Sequence, residues 1–475
     1  MKEIATIAEL KSRLAAQKKF FSQNINPSYQ TRLNDLAVLK KLLLDNQEKF
    51  ITALSVDFGH RSEDDSKIGD ILTTVSTINY TSKNLKRWIK PQRKQIGILF
   101  KPAKGKVINQ PKGVIGIVAP WNYPLFLSLG PLIAALAAGN VAMVKMSEYS
   151  PNTSRLLAKL IGESFSADKI AIVGGDANMA AKFCSLPFNH LFFTGSGAVG
   201  KLVMKSAAEN LVPVTLELGG KSPAIIDSTM DIASAVSRFI LGKTLNSGQT
   251  CVAPDYIFCP REKCQQLINE ISVRYTKMYP NLGNNDDCTS IINDEQFNRL
   301  NLLLSDAKRK GAKVISCLAE TSTTDKQRLL RKFPLTLVCD TQDDMLVMQQ
   351  EIFGPILPII AYDNIAQVLD YINARPRPLA LYIYSFNQLF QQQVLLNTHS
   401  GGVCINDASI HVANDDLPFG GIGASGMGQY HGEEGFKTFS HQKTVFTRGR
   451  INFTPMLFPP FNKLIHRMIY KVFIR

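Results

Sequence analysis

The stretch VIGIVAPWNYPLFLSLGPLIAALAAGNVAMVKMSE, residues 114–148, decides the fold. Val114 to Ala119 is an apolar run without charge, as a strand buried on both faces requires. Leu125 to Ala138 reads as a helix closed by Gly139. Val141 to Lys145 is the next strand. Ser150-Pro151 then starts another helix, with Ser as N-cap and Pro at the first helical position. Leu191 to Phe193 reads as a strand, followed by a glycine turn and a helix from about 198 to 210, and Val212 to Leu216 as a further strand. This alternation predicts an α/β fold with a doubly wound, Rossmann-type parallel sheet, and ligands at the carboxyl ends of its strands.

The polar motifs fall at those ends. Pro120-Trp121-Asn122-Tyr123-Pro124 follows the first strand, and Lys145, Ser147 and Glu148 follow the second. Thr194-Gly195-Ser196 follows the third and Glu217 the fourth. Four placements in succession favour a nucleotide cleft. Gly195, Gly197 and Gly200 also match the GxGxxG phosphate-binding pattern, and Glu217 stands at the spacing of the acid that would bind adenosine ribose. A lone GxGxxG is a weak signal, and Glu148 competes for that role from the preceding strand.

Outward from this unit, residues 28–57 and 68–90 read as helices from apolar positions three and four apart. Residues 95–110 alternate around a turn near Pro102 to Gly105, which suggests a β-hairpin. A second α/β lobe begins near 220, with Pro223 to Ile226 as strand and Ala233 to Thr244 as helix. Val403 to Asn406 is expected to be a strand near its end. The glycine-rich stretch Pro418 to Gly428 crosses back to the first lobe, and 440–449 is another strand. The expected division is 1–94 with 111–219, then 220–415, then a small β arm from 95–110 and 436–450, then a tail, 451–475.

Gly248-Gln249-Thr250-Cys251, read with Glu217-Leu218-Gly219-Gly220-Lys221, carries the chemistry. Cysteine is strongly nucleophilic even when little of it is ionised at neutral pH. A carboxylate in a protected site has its pKa raised toward neutrality and can activate water. Thiol attack on a carbonyl needs both a nucleophile and a means of releasing the acyl group.

The bulk numbers fit an ordinary globular chain. At 475 residues it exceeds one compact core, and hydrophobic and charged residues make up 45% and 20%. The eight cysteines show no CxxC pair and no zinc-like spacing, and the histidines form no metal-type pair. Such thiols belong in a reducing compartment, which points to the cytoplasm. Met1 to Phe20 lacks the apolar core of a secretory signal, and no apolar run is long enough to span a bilayer. The net charge of +15 fits a basic soluble protein or a preference for membrane surfaces. No zinc-finger, RRM-like or helix-turn-helix pattern supports nucleic acid as a partner. In the tail, Leu464, Ile465, Met468, Ile469 and Val472 follow helical spacing among Lys463, Arg467, Lys471 and Arg475. This suits a basic amphipathic helix on anionic lipid. It also suits a helix packed on its own protein or on a subunit partner.

From about residue 10 to 450 the chain resembles the NAD(P)-dependent aldehyde dehydrogenases. The carrying motifs are PWNYP at 120–124, KMSE at 145–148, FTGS at 193–196, ELGGK at 217–221, GQTC at 248–251 and EIFGP at 351–355. GQTCVAPDY at 248–256, RPLALY at 377–382 and the run 415–436 look like the class-3-type branch, and within it the coniferyl aldehyde dehydrogenase group. The resemblance implies Cys251 as nucleophile, Asn122 with the Cys251 amide as oxyanion hole, and Glu217 as general base. It implies Lys145 and Glu148 at the adenosine ribose, with Ser147 in the same motif. Gly195, Ser196 and Gly200 then lie at the pyrophosphate turn, Trp121 beside the phosphates, Glu351 on the nicotinamide ribose and Phe353 beside the nicotinamide. Two departures stand out: Met146 replaces the usual proline of KPSE, and Gly197 follows Ser196. Glu148 favours NAD, although the branch often takes NADP as well. The branch also implies a homodimer built through the hairpin and the 440–449 strand, and an aromatic, cinnamyl-type or medium-to-long aliphatic aldehyde as substrate. Two rivals are an enzyme passing its acyl group to coenzyme A and a non-catalytic protein that keeps the fold.

Overall fold

The computed structural model describes residue 4, residues 6–318 and residues 330–474. Strands β1 (Gln92–Lys94) and β2 (Lys104–Pro111) lead into β3 (Val114–Val118), β4 (Val141–Lys145), β5 (Ile170–Val173), β6 (His190–Gly195) and β7 (Val214–Leu218). The last five lie parallel in the order β7-β6-β3-β4-β5. Alternation within β3 explains why it is apolar throughout. Ile115 and Ile117 face a core with the helices Tyr29–Asp45, Gln47–Phe58, Thr73–Trp88 and Phe126–Ala138. Val114 and Val118 face the opposite core, with Leu10 and Leu14 of the helix Ile7–Gln23. A strand covered on both sides has no position for a charge. The strand order reverses between β3 and β6, so the crevice opens where their carboxyl ends meet.

The second lobe holds β8 (Pro223–Ile226), β9 (Tyr256–Pro260), β10 (Lys313–Ser316), β11 (Thr336–Cys339), β12 (Ile356–Tyr362), β13 (Ala380–Tyr384) and β14 (Gly402–Ile405). Their order is β10-β11-β12-β9-β8-β13-β14, parallel except for β10 against β11. Gly219 to Ser222 join β7 to β8, so the two sheets meet at the ELGGK turn. The glycine-rich stretch does return to the first lobe: β15 (Gly426–Met427) pairs with β7, placing Gly426 opposite Glu217. Finally β16 (Ser440–Thr447) lies along β2 from Pro111 to Lys104, and with β1 completes a three-stranded antiparallel sheet.

Five expectations need correction. The 28–57 helix is two helices, because Asn46 leaves helical geometry (φ −125°, ψ 19°) and its side chain donates to Leu42 O. The 68–90 helix begins as a π-helical turn, Lys67–Leu72, before the α-helix Thr73–Trp88. The hairpin is wider than expected: β1 lies outside 95–110, and the connection contains a 3-10 turn, Ile98–Phe100, whose three side chains are exposed. The arm segment 436–450 opens with the end of a helix, Gly432–Thr438, before β16. Thr194, Gly195 and Glu217 occupy the last positions of β6 and β7 rather than following them.

The tail forms the helix Leu464–Phe473. Leu464, Met468 and Val472 stand one turn apart and are exposed, as are Phe453, Phe458 and Phe461 before them. No described helix is long and apolar enough to cross a membrane.

Candidate active site

Cys251 follows a strained turn. The helix Ile232–Thr244 ends, and Asn246, Ser247 and Gly248 take φ values of 51°, 53° and 71° in succession. Only Gly248 does so without cost. A side chain there would also meet Gly354 O, its Cβ 2.6 Å away. Strain of this kind persists only where the surroundings enforce it, and here they do. The Asn246 amide donates to Asn122 O at 3.0 Å, and its backbone N–H to Asp65 Oδ2 at 3.1 Å. The fully buried Gln249 donates to Asn246 O and Ser290 O, and accepts from the Ile292 N–H, all at 3.0 Å. The half-buried Cys251 is thus carried on a turn tied to both lobes.

Two carboxyls share its surroundings. Burial pushes the Cys251 thiol up to about 12, and the charges of Glu351 and then Glu217 add to that shift. Glu217 is 3% exposed, and neither of its carboxyl oxygens has a hydrogen-bond partner among the described residues. Burial alone raises its pKa well above the usual carboxylate range. Glu351 rises to about 8, first through burial and then through Asp255, against the Gly220 N–H and Lys221. Its loop is fixed by Lys221, which pairs with Asp255 and donates to Val347 O and Gln350 O, while Asp255 Oδ2 accepts from the Ile352 N–H at 2.8 Å.

Asn122 reaches the same turn from β3. It is buried, and its Nδ2 donates to Gln249 O at 3.1 Å. A primary amide carries two N–H donors, so the bond to Gln249 O uses one of the two.

The other predicted residues stand at or just past the carboxyl ends of β3, β4 and β6, with Phe353 on the Glu351 loop. Trp121 packs edge-on against Phe353, ring centroids 5.3 Å apart, and against Phe58 at 6.3 Å. Lys145 is buried and donates to Met146 O and Gly175 O, with Glu148 at 4.0 Å. Glu148 is 40% exposed, so its carboxylate is free to meet a ligand at the end of β4. Ser147 Oγ accepts from the Tyr149 N–H. Exposed Ser196 caps the helix Gly197–Ala208, whose N-terminal amides favour an anion. Gly200 lets that helix approach the sheet, since a Cβ would lie 2.8 Å from Leu218 Cδ2. Glu217, the other candidate for the ribose, is sealed between β6 and β15, which is no place for a sugar hydroxyl.

The family model described as the aldehyde dehydrogenase family matches residues 4–445. The chain belongs to that family. A probable coniferyl aldehyde dehydrogenase of Pseudomonas aeruginosa is 46% identical, covering 99% of this chain and 97% of its own. The coniferyl aldehyde dehydrogenase of a Pseudomonas species is 41% identical over 97% and 95%. Among solved structures, Staphylococcus aureus AldH in a substrate-bound state matches with a TM-score of 0.92 at 36% identity, covering 98% and 99%. The Mycobacterium tuberculosis aldehyde dehydrogenase complexed with NAD+ matches at 0.83 and 26%, over 95% and 92%. An aldehyde dehydrogenase oxidises an aldehyde to the acid, and the described residues offer the thiol and carboxyl groups for it. What the motifs missed lies one layer out. Arg61, Asp65 and Asp70 reach this site from a charged segment that reads as an ordinary solvated helix face.

Proposed function

We propose that this aldehyde dehydrogenase oxidises aromatic, cinnamyl-type or medium-to-long aliphatic aldehydes to carboxylic acids, with NAD the preferred dinucleotide. The observation that carries the reading is one thiol, Cys251, lying in the field of the buried Glu217 and the half-buried Glu351 where the two sheets meet. The relatives named for coniferyl aldehyde support the aromatic end of the range.

The dinucleotide has a fitting cradle. Thr194 Oγ1, at the end of β6, is buried without a partner among the described residues, and a Cβ on Gly197 would meet only Ala424 O, at 3.9 Å. Lys145 and Glu148 would hold the adenosine ribose, with Ser147 beside them. Gly195, Ser196, Gly200 and Trp121 would hold the phosphates, and Glu351 with Phe353 the nicotinamide riboside. When bound, the nicotinamide supplies the two-electron acceptor. Glu148 would repel a 2′-phosphate, which favours NAD over NADP.

In this reading the Cys251 thiolate adds to the carbonyl carbon, and the π pair moves onto oxygen. The second Asn122 N–H and the Cys251 amide receive that charge, a contribution of about 10²–10³ in rate per donor. After oxidation a thioester remains on Cys251. Glu217 takes a proton from water, which then hydrolyses it. A carboxylate with raised proton affinity is the better base for that step. The same feature disfavours transfer to coenzyme A, which needs no water activation.

NADH production across short aliphatic, long-chain and coniferyl aldehydes, with and without coenzyme A, tests the reading. Acid formation independent of coenzyme A is expected. Acyl-coenzyme A as the product would overturn it.

Two finer elements belong to the same proposal. The sheet of β1, β2 and β16 has the form of an arm suited to pairing two subunits as a homodimer. The tail suits an anionic lipid surface: from residue 435 onward the chain carries lysine and arginine but no acidic residue, and its helix exposes an apolar face. The free cysteines suit a reducing cytoplasm.

A further inference from the structure

We propose that Arg61, Asp65 and Asp70 form a buried brace that sets the Asn122 amide relative to Cys251, making them positioning residues for the oxidation. The inference rests on the reading of Asn122 as an oxyanion donor.

Arg61 and Asp70 are paired at 2.9 Å with both side chains fully inaccessible. The guanidinium sits over the rings of Phe58 and Tyr123, 4.7 and 5.0 Å from their centroids, and donates to Asn122 O at 3.0 Å. Asp70 Oδ1 accepts from the Leu125 and Phe126 N–H groups, both at 3.0 Å. The pair therefore grips the PWNYP loop on both sides of Tyr123. Asp65 holds the other half of the site: its Oδ2 accepts from the Asn246 N–H and the Thr289 hydroxyl. Asn246 donates to the same Asn122 carbonyl that Arg61 reaches. One short segment thus fixes both the loop that presents Asn122 and the turn that presents Cys251.

Its local conformation serves that end. Asp70 lies in the π-helical turn Lys67–Leu72, and such turns gather at functional positions. Gly69 beside it has room for no side chain, since a Cβ would lie 2.3 Å from Tyr123 Cε1. A buried ion pair is weak evidence for a stabilising role, because desolvation offsets its attraction. Fixing a donor at a reacting oxygen is a different benefit, and a misplacement of about 1 Å costs about 10²-fold in rate.

A double-mutant cycle tests the brace. Arg61→Lys keeps the charge and loses the planar fork. Saturated turnover and the KM for NAD are measured for this variant, for Asn122→Ala and for the two combined, with thermal unfolding as the folding control. The brace predicts that Arg61→Lys lowers kcat about 10- to 100-fold with little change in the KM for NAD. It further predicts that the combined variant turns over within about twofold of Asn122→Ala alone. Losses that multiply, or an unchanged kcat in Arg61→Lys, would overturn it. Full turnover in Asn122→Ala would remove the donor reading itself, and the brace with it. Where Arg61→Lys does not fold, Asp70→Asn takes its place in the same cycle, and failure of both assigns the pair to the core and ends the proposal.

Discussion

The Glu351 carboxylate lies directly against Gly219: a Cβ on that glycine would stand 2.2 and 2.3 Å from its two oxygens. The glycine is needed for close approach, since its φ is not in the left-handed region. Gly219→Ala should therefore displace Glu351 while leaving the chain folded. Above about pH 8, where Glu351 is ionised, losing a charge-assisted bond to a ligand hydroxyl costs roughly 1.5–3 kcal/mol, so the KM for NAD is expected to rise at least about tenfold. Steady-state kinetics with varied NAD check this, and an unchanged KM would separate Glu351 from the ribose.

Cys251→Ala should abolish oxidation while leaving dinucleotide binding by fluorescence titration intact. Glu217→Gln should keep an NADH burst in stopped-flow traces and then turn over about 10²–10⁴-fold more slowly. Loss of the burst together with turnover would assign Glu217 to the first step instead.

Alkylation of Cys251 by iodoacetamide should rise with pH, because burial holds the thiol protonated. Glu351 opposes thiolate formation only where it is itself ionised, above about 8. Removing a negative neighbour lowers a thiol's pKa. Glu351→Gln should therefore shift the alkylation profile to lower pH, with its largest acceleration above pH 8. An unshifted profile would mean the two groups do not interact.

Anionic vesicles should pellet the full chain, and removal of residues 455–475 should abolish this. Salt near 1 M, where the Debye length falls to about 3 Å, should weaken the association. Equal pelleting of both chains would exclude the tail, and a fall in the number of subunits per particle on its removal would assign the helix to the dimer.

The strands of the first sheet were readable because both faces of that sheet are covered. Val114–Val118 and the stretch Val141–Val144 are runs without charge, set off by Gly113 before the first and Gly139-Asn140 before the second. The hairpin misled because Ile98, Leu99 and Phe100 have the character of strand residues yet sit exposed at the tip of the arm. The break at Asn46 was hidden for the opposite reason, since the apolar period runs on into the next helix.

Cys251, Glu217, Asn122 and Glu351 were picked out by motifs shared with the aldehyde dehydrogenases, GQTC, ELGGK, PWNYP and EIFGP. Arg61, Asp65 and Asp70 carry no such mark. A run of charges normally faces water, and only packing turns this one inward.

The order of apolar runs, glycines and polar strand ends by itself pointed to the α/β architecture, because that depends on local periodicity, while the family and the candidate reactive side chains came from motifs shared with the aldehyde dehydrogenases. Tertiary structure alone decided which carboxyl adjoins the thiol, which faces the crevice, and what holds the Asn122 loop. Those outcomes depend on desolvation and on contacts between segments far apart in the chain, such as Arg61 with Asn122 and Gly219 with Glu351.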